Sequence, residues 1–309
     1  MITLKRYAML VMLMIMMIAL SGKIFALPLR LAILPDADSL PFMLARDEGF
    51  FNAEGVDVEL VTFYNPQERD AAIQAGKVDG AVSDLLAAAL FSAGGFDTKI
   101  TSLTDGRYGI VASPSFKNKS LESLRGKKIG LSLHTIIQYS VDYLLKNSGI
   151  DVTEYEAVSI PRMPIRMEMV LTGQIDAAAL PEPLLTAAIQ RGAVLLASTD
   201  TVNIDAGVLI FSEKILNERL NDVRSFYRAY EKAAEKINSH PDNYRQYLVD
   251  KASFPNEVKD AYRFISYRKP MLPATDQIEN ALSWLYARNL LSKYINPKEL
   301  IDDRAISQW

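Results

Sequence analysis

The sequence predicts an α/β fold of two lobes, each built on a mostly parallel β-sheet with helices on its faces. Strand-like and helix-like segments alternate along the chain, which is typical of parallel sheets covered by helices. The motif GKVDGAV at 76–82 returns as GQIDAAA at 173–179, and each copy leads into an apolar stretch, LLAAA or LLTAA. The order of elements around the motif also repeats, so we expect a duplicated lobe.

The first lobe is predicted to follow the order strand, helix, strand, helix, strand. Both helices end at a glycine, Gly49 and Gly76, because glycine adopts the left-handed conformation that ends a helix without a side-chain clash. The segments are LRLAIL (29–34) as a strand, PDADSLP as its exit loop, PFMLARDEGFF (41–51) as a helix, VDVELVTF (56–63) as a strand, a helix over 67–75, and VDGAVS (78–83) as the third strand.

The second lobe repeats this order, with helices that end at Gly149 and Gly173. Asp79 and Asp176 begin the two third strands in register, and we expect both to cap or solvate the turn between helix and strand. The segments are GKKIGL (126–131) as a strand, SLHT as its exit loop, IIQYSVDYLLKNSG (136–149) as a helix, YEAVSI (155–160) as a strand, a helix over 164–171, and IDAAAL (175–180) as the third strand.

The N-terminus has the pattern of a secretory signal peptide, predicted to span 1–26. Lys5 and Arg6 precede an uncharged apolar run at 7–20, which is shorter than the ~20 residues of a membrane-spanning helix. Cleavage is expected after Ala26, although Ser21 or Gly22 could also supply the small residue at the cut. The alternative is an uncleaved N-terminal anchor. Either way, the protein is predicted to be exported.

Composition excludes several classes of site. The formal charge is -3, and loss of the three cations in 1–26 without any acid makes it -6, which gives no reason to expect nucleic-acid binding. The absence of cysteine rules out disulfides, zinc–thiolate sites and thiol catalysis. Only two histidines, His134 and His240, are present, so a multi-histidine metal centre is not expected. We expect neither a metal nor a cofactor.

Four segments carry a resemblance to a known family: 38–51 (DSLPFMLARDEGFF), 76–84 (GKVDGAVSD), 124–130 (LRGKKIG) and 173–183 (GQIDAAALPEP). They look like the periplasmic substrate-binding proteins of ABC importers. Within those, the sequence is similar to the branch of nitrate-, sulfonate- and taurine-binding proteins and binders of thiamine pyrimidine precursors. The resemblance implies a monomeric receptor of the type II periplasmic-binding-protein fold. Such a receptor closes on a small molecule and delivers it to a membrane permease driven by an ATPase.

The resemblance also implies a location and a domain plan. The protein would lie in the periplasm, or on the outer face of the cytoplasmic membrane if the N-terminus is an uncleaved anchor. The segment YGIVASP (108–114) is interpreted as the outgoing crossing between lobes and IDAGVLIFS (204–212) as the return, which together make a hinge. The predicted parts are the signal peptide 1–26, lobe 1 over 27–112, lobe 2 over 113–206, and the lobe 1 return with C-terminal helices over 207–309.

Candidate ligand contacts follow from the position of loops in an α/β sheet. In open parallel sheets, ligands bind just beyond the carboxyl ends of the strands, where loops and helix N-termini converge. Arg107 and Tyr108, beside the outgoing crossing, are lesser candidates. The main candidates are Asp36, Asp38, Ser39, Leu40, Ser83 and Asp84 in the first lobe, Ser132, His134, Thr135, Pro181 and Glu182 in the second, and Asp205 beside the return crossing.

Several of these residues have a structural alternative. Asp38 stands where a helix N-cap is expected, so its carboxylate could accept the free N–H groups of the first turn. Ser83 and Thr135 could be caps as well. Glu182 lies between two prolines and could hold the loop in place, and His134 could be a polar residue of the cleft or the surface.

The charges of the candidates bear on the ligand. Helix N-termini can bind an oxyanion such as a sulfonate. Five carboxylates are nevertheless predicted near the cleft, and a buried carboxylate is costly unless it is paired or hydrogen-bonded. A ligand with amino or ring N–H groups supplies that partner. The sequence therefore favours a nitrogen-bearing heterocycle such as an aminopyrimidine, with a sulfonate, taurine or nitrate receptor as the alternative.

An enzyme of the same fold is a further alternative. The fold family includes a pyrimidine synthase of thiamine biosynthesis, whose relatives depend on a cysteine-containing segment and act inside the cell. This chain has no cysteine and carries an export signal, and its spacing selects no nucleophile with a base. We therefore expect a binding protein without catalytic residues.

Overall fold

Ten β-strands form two five-stranded sheets in the residues that the computed structural model describes, 27–202 and 204–307. The predicted signal peptide, 1–26, lies outside the described residues. The strands are β1 Leu29–Ile33, β2 Val58–Thr62, β3 Gly80–Asp84, β4 Thr98–Leu103, β5 Tyr108–Ala112, β6 Lys128–Leu131, β7 Glu156–Ser159, β8 Ala177–Pro181, β9 Val194–Ser198 and β10 Gly207–Ser212. The first sheet has the order β2-β1-β3-β10-β4, and the second has the order β7-β6-β8-β5-β9.

Both sheets follow one plan, as the repeated motif predicts. In the first sheet β1 pairs in parallel with β2 and β3, and in the second β6 pairs in parallel with β7 and β8. The fourth strand of each sheet is antiparallel to both of its neighbours and follows a chain crossing. Thus β10 joins the first sheet after the chain returns, and β5 joins the second sheet directly after the chain leaves the first.

The helices follow the sequence pattern closely, apart from one division. Gly49 has a left-handed φ of 73°, and a second short helix follows it instead of the chain leaving the helix there. The helices are α1 Leu40–Asp47, α2 Phe50–Ala53, α3 Pro66–Gln74, α4 Leu85–Ala93, α5 Ile136–Asn147, α6 Met163–Leu171, α7 Leu184–Gln190, α8 Glu213–Glu218, α9 Leu220–Ser239, α10 Arg245–Asp250 and α11 Thr275–Ala287. Among the described residues, none of the helices has the length and apolar character needed to cross a membrane.

The two equivalent turns of the repeat make the same hydrogen bond in each lobe. Asp79 Oδ2 accepts the backbone N–H of Arg30 at 2.8 Å, and Asp176 Oδ2 accepts that of Lys128 at 2.9 Å. Each carboxylate therefore ties the start of the third strand to the start of the first strand of its sheet. Asp79 and Asp176 are structural residues, as the sequence indicates.

The outgoing crossing lies earlier than the sequence analysis placed it. Tyr108–Ala112 is a buried strand that pairs with β8 and β9 of the second sheet, so the crossing is 104–107 and not 108–114. Tyr108–Ala112 was assigned to lobe 1, and its pairing corrects that assignment. A short apolar run fits a connector or a central strand equally well, and only the pairing distinguishes them. The return crossing is 199–206, because residues 207–212 already belong to β10.

The C-terminal helices pack mainly on the first sheet and its helices. Phe226 of α9 stacks on Phe42 of α1 and Phe51 of α2, with ring centroids 5.3 Å apart in both pairs. Tyr227 is also buried and its hydroxyl lies 2.6 Å from Thr101 Oγ1 of β4. The aromatic residues of α9 are therefore core residues, and α11 packs on α4 beside the other face of the sheet.

A polar cluster connects the two lobes at their edge. We call it the clasp: Asp142 of α5, Tyr155, Trp284 of α11, and Arg288, which directly follows α11. Asp142 is buried and accepts hydrogen bonds from the Tyr155 hydroxyl at 2.5 Å and from Trp284 Nε1 at 2.8 Å, and it also pairs with Arg288. Because α5 belongs to the second lobe and α11 packs on the first, the clasp spans the division between them.

Candidate functional site

The loops that follow β1, β3 and β8 meet between the two sheets. Asp36 and Ser83 from the first lobe and Pro181 from the second line a common cavity of about 30 Å³, together with Ile136 at the start of α5. The backbone N–H of Ala37 donates to the carbonyl oxygen of Glu182 at 3.1 Å. The carboxyl ends of the two sheets therefore face each other, and we call the space between them the cleft.

The cleft is closed in this conformation. A cavity of about 30 Å³ can hold a water molecule or two, because one water needs roughly 10–15 Å³ measured in this way. A heterocycle or a sulfonate with its carbon chain requires several times this space. The lobes must therefore separate to admit a solute of that size.

Asp36 is the cleft acid whose negative charge is most strongly disfavoured by its surroundings. It is buried, and Oδ1 accepts the backbone N–H of Ser39 at 3.1 Å. Burial raises the pKa of Asp36 well above its usual value, and the neighbouring Asp38 raises it further. Among residues 27–202 and 204–307, no lysine or arginine nitrogen lies within 4.0 Å of this carboxylate. Asp36 therefore offers an acceptor to a cationic or N–H donor group in the cleft.

Asp38 organises the hinge and does not cap α1. Its Oδ1 accepts the hydroxyl of Thr104 at 2.8 Å, and the Tyr108 hydroxyl lies 3.1 Å from Oδ1 and 3.0 Å from Oδ2. Thr104 is the first residue of the crossing and Tyr108 follows its last. Burial raises the pKa of Asp38 to about 6, although both hydroxyl donors lower it. The N-cap hypothesis for Asp38 is thus wrong, since its carboxylate is occupied by side chains of the crossing.

Asp84 and Arg69 form the charged wall of the first lobe. Asp84 Oδ1 caps α4 by accepting the N–H of Ala87 at 2.9 Å, and Oδ2 lies 3.8 Å from Arg69 Nη2. Burial raises the pKa of Asp84, and Arg69 opposes that rise. Arg69 also lines the cleft and donates to Asp70 Oδ1 at 2.8 Å. Ser83 Oγ lacks a hydrogen-bond partner among the described residues, so it is not a cap.

In the second lobe, Thr135 is a helix cap and His134 lies outside the cleft. Thr135 Oγ1 accepts the N–H of Ile137 at 3.2 Å and donates to the Ser132 carbonyl at 3.0 Å. His134 is exposed, has a left-handed φ of 60°, and does not line the cavity. Burial lowers the pKa of His134, with Arg288 adding to the effect. The structure therefore places His134 on the rim beside the clasp.

Glu182 holds the loop after β8. Its carboxylate is fully buried and accepts the Thr186 N–H at 3.1 Å, the Thr186 hydroxyl at 2.9 Å and Arg107 Nη1 at 2.6 Å. Burial raises the pKa of Glu182, while Thr186 and Arg107 lower it. These contacts satisfy the carboxylate and fix the turn that presents Pro181 to the cleft, which is the structural alternative stated for Glu182.

Asp205 lies at a different place from the cleft. It makes a bidentate pair with Arg268, with oxygen–nitrogen distances of 2.9 and 2.8 Å, and Arg268 also binds Asp105 at 2.6 Å. These residues border a separate cavity of about 230 Å³ between the crossings.

Leu40 is buried in the apolar core of the first lobe. The structure thus brings Asp36, Asp38, Ser83 and Pro181 together, with Ser39, Asp84 and Ser132 close behind them.

Sequence reasoning missed two buried arginines, Arg69 and Arg166. Arg166 of α6 is fully buried, and its Nη1 donates to Ser132 Oγ at 2.7 Å and to the Ile160 carbonyl at 2.9 Å. A signal was present, because both arginines stand seven residues before the repeated glycines, Gly76 and Gly173. Among the described residues, no cluster of three or more acids or histidines is arranged to hold a metal ion.

With this geometry established, comparison with known proteins places the chain. The model of the family described as NMT1/THI5 like matches residues 36–244, which include the first strands' exit loops and both arginines. The chain belongs to the NMT1/THI5-like family.

Two relatives of this NMT1/THI5-like protein carry different descriptions. The 4-amino-5-hydroxymethyl-2-methylpyrimidine phosphate synthase THI13 of Saccharomyces cerevisiae is 24% identical over 246 residues, covering 72% of this chain and 71% of the relative. A protein of Brachyspira hyodysenteriae, provisionally described as an ABC transporter periplasmic binding protein, is 22% identical over 243 residues, covering 73% of this chain and 69% of the relative.

A solved structure confirms the fold predicted for this NMT1/THI5-like protein. The periplasmic aliphatic sulphonate binding protein SsuA of Escherichia coli superposes with a TM-score of 0.76 at 14% identity, covering 89% of this chain and 92% of SsuA. The α/β fold of two lobes and its resemblance to periplasmic binding proteins of ABC importers are therefore correct. The identity is too low to carry a ligand across.

Proposed function

We propose that this protein is the solute-binding receptor of an ABC importer, which captures a small polar molecule in the cleft and delivers it to a permease. The carrying observation is that two sheets direct their carboxyl-end loops at one another across two short crossings. Two lobes joined by short crossings can open and close around a solute, as a receptor of this kind must. The receptor acts as a monomer in the periplasm, or on the outer face of the cytoplasmic membrane if it keeps its N-terminus.

The ligand we favour is a nitrogen-bearing heterocycle such as an aminopyrimidine. Asp36 is a buried acceptor without a cationic partner within 4.0 Å in the described chain, and Ser83 Oγ is free beside it. An amino group or protonated ring nitrogen pairs with such a carboxylate. The pyrimidine in the description of THI13 supports the same class. A sulfonate, taurine or nitrate receptor is the second candidate, supported by the likeness to SsuA.

Closure of the cleft is the mechanistic step. Solute first binds the open first lobe through Asp36, and the second lobe then closes over it. The equilibrium shifts toward the closed form only through contacts that are absent from the open form. Examples are the hydrogen bond between Ala37 and Glu182 and the contacts of Pro181 with the cavity. The permease then recognises the closed form.

An Asp36→Asn substitution tests the ligand assignment. The purified protein is screened by thermal unfolding against aminopyrimidines, alkanesulfonates, taurine and nitrate. The stabilising solute raises the free energy of unfolding by about 2.7 kcal/mol at 100 times its Kd. We expect Asp36→Asn to weaken binding of a cationic heterocycle by roughly tenfold or more, because it removes the charge that pairs with the amine.

The matched control is Asp57→Asn, the same change at an exposed position of the first lobe. It should leave the affinity unaltered. A solute recovered chemically changed after incubation contradicts the receptor and favours a synthase like that named for THI13. A screen in which no solute raises the unfolding temperature contradicts binding altogether.

A further inference from the structure

Arg166 has a buried guanidinium without a countercharge in the part of the chain that the structure describes. Its Nη1 is used by Ser132 and Ile160, but Nε and Nη2 have no hydrogen-bond partner among the described residues. Within the same residues, no carboxylate lies within 4.0 Å of it. Burial alone lowers the pKa of Arg166 to about 9. A buried charge of this kind is costly, so its retention calls for an explanation.

The first lobe contains the equivalent arginine with acidic partners beside it. Helix α3 and strand β3 of the first lobe match α6 and β8 of the second at a constant offset of 97 positions. Arg69 is the counterpart of Arg166, and Asp70 and Asp84 lie 2.8 and 3.8 Å from its guanidinium.

Both acids are replaced in the second lobe. The position equivalent to Asp70 is Met167, and the position equivalent to Asp84 is Pro181. The second lobe therefore keeps the arginine of the repeat and substitutes apolar residues for its two countercharges. At these two positions the second lobe supplies no negative charge, which leaves the place of a countercharge open to an anion from outside the lobe.

The geometry of the free atoms selects the kind of partner. Nε and Nη2 form one edge of the planar guanidinium, and their parallel N–H bonds match two oxygens of a carboxylate, sulfonate or phosphate. The surroundings also suit an anion, because Ser132, the partner of Nη1, lies at the start of the loop that leads into α5. Met163, one turn before Arg166 on α6, lines the cleft.

We propose that Arg166 binds an oxyanion group of the transported solute when the lobes separate. The inference rests on the proposed function and deepens it: the solute is bipolar, with a nitrogen group for Asp36 and an oxyanion for Arg166. The guanidinium is fully buried and does not line the closed cavity, so an anion reaches it only after the lobes separate. Arg69 takes no part in anion binding, because its charge is already balanced.

Simple oxyanions test the site without knowledge of the natural solute. Thermal unfolding of the purified protein is followed in inorganic phosphate, methanesulfonate or acetate, each against chloride at equal ionic strength. We expect at least one oxyanion to raise Tm by about 2–4 °C. Arg166→Met, which keeps the volume and removes the charge, should abolish the rise. Arg162→Met, at the exposed residue just before the same helix, is the matched control and should retain it.

A pair of organic probes then tests the bipolar solute. Wild-type protein should bind 4-amino-5-hydroxymethyl-2-methylpyrimidine phosphate about 10- to 100-fold more tightly than the unphosphorylated alcohol. Arg166→Met should remove this preference without weakening the alcohol. Arg166→Lys, which keeps the charge but not the two parallel N–H groups, should restore part of it. A sulfonated or carboxylated analogue that shows the larger preference identifies the oxyanion.

Each result has a definite meaning. If no oxyanion stabilises wild-type protein more than chloride does, or if Arg166→Met responds as Arg162→Met does, the anion site is wrong and ordered water satisfies Arg166. Equal affinity for the alcohol and for its phosphorylated, sulfonated and carboxylated analogues also overturns the anion site but leaves the receptor intact. An oxyanion effect that depends on Arg166 while neither pyrimidine binds supports the site and removes the heterocycle from the proposed function.

Discussion

Asp38 connects the two ends of the outgoing crossing through the hydroxyls of Thr104 and Tyr108. Its side chain is buried and close to a second acid, Asp36, so protonation and conformation are linked at this position. A carboxyl group whose pKa is raised by folding favours the folded state most when it is protonated. Asp38 should therefore make the stability of the hinge depend on pH.

The sign of that dependence follows from the two pKa values. The pKa of Asp38 is about 6 in the folded protein and about 3.9 in an unfolded chain. The folded state therefore binds the proton more tightly, and the contribution is complete below about pH 4 and lost as the pH rises through about 6. We expect the free energy of unfolding of Asp38→Asn to fall less between pH 4 and pH 7 than that of wild type, by on the order of 1–3 kcal/mol.

Urea unfolding at several pH values measures this difference, with Asp57→Asn as the control for an exposed acid. Parallel curves for Asp38→Asn and wild type would contradict the raised pKa. Comparison with wild type is needed because other buried acids, including Asp84 and Glu182, shift in the same direction.

At the scale of elements, the backbone at the two crossings packs too closely against neighbouring side chains to admit a Cβ atom at Gly106 or Gly207. A methyl group on Gly106 would overlap the Asp38 carboxylate and the Tyr108 hydroxyl, and one on Gly207 would lie 2.7 Å from Thr104 Oγ1. Both glycines thus allow the two crossings to approach Asp38. Neither φ value is positive in the described structure, so close approach and not backbone conformation explains their presence.

A Gly106→Ala substitution should reduce the free energy of unfolding by about 1–3 kcal/mol, because the crossing must shift to admit the methyl group. Chemical denaturation measures the loss. Gly94→Ala, where the nearest atom would lie 3.2 Å away in the side chain of Phe96, is the control and should change stability by less than about 1 kcal/mol. Equal effects of the two substitutions would remove the special role assigned to Gly106.

The elements were largely predictable from the sequence because hydrophobic pattern and glycine turns are local signals. The repeat placed the three parallel strands of each sheet, with the loop that carries Asp36 and the strand ends that carry Ser83 and Pro181, whereas β4 and β9 were not predicted. The strand Tyr108–Ala112 was misassigned, since a short apolar run does not reveal its pairing partner. The pairing of Asp205 with Arg268 was also hidden, because the two residues meet only through the tertiary fold.

Arg166 shows the other limit of sequence reasoning. An arginine in an amphipathic helix is normally read as a surface residue, and Arg166 is fully buried. Its repeat position was visible, but its lack of a countercharge depends on which side chains surround it. Local patterns predict where loops gather, whereas the charge balance of a site is a property of the folded neighbourhood.

For the whole molecule, the clasp provides a direct readout of closure. Trp284 is one of two tryptophans, and its indole donates to Asp142 across the division between the lobes. Opening should transfer the indole to water and move its emission to longer wavelength, and solute should reverse the shift. The measurement uses Trp309→Phe protein, since Trp309 lies outside the described residues and adds its own emission.

Asp142→Ala in the same background is the comparison. It removes the acceptor, so the emission of Trp284 should start at the longer wavelength and respond less to solute. If a solute that raises Tm leaves the emission of the Trp309→Phe protein unchanged, the lobes do not move against each other at the clasp. Small-angle scattering on the same samples should then show no compaction.

For the proposed receptor, the contact of Ala37 with Glu182 has a consequence for how its solute specificity can change. The bond joins two main-chain atoms, so it survives nearly every side-chain replacement around it. Asp36, Ser83 or Arg166 could be replaced in a related protein, and the main-chain contact between the two lobes would still form. Closure and ligand specificity are thus separable properties. The same scaffold can therefore change the solute that it binds and keep the closed shape that the proposed permease recognises.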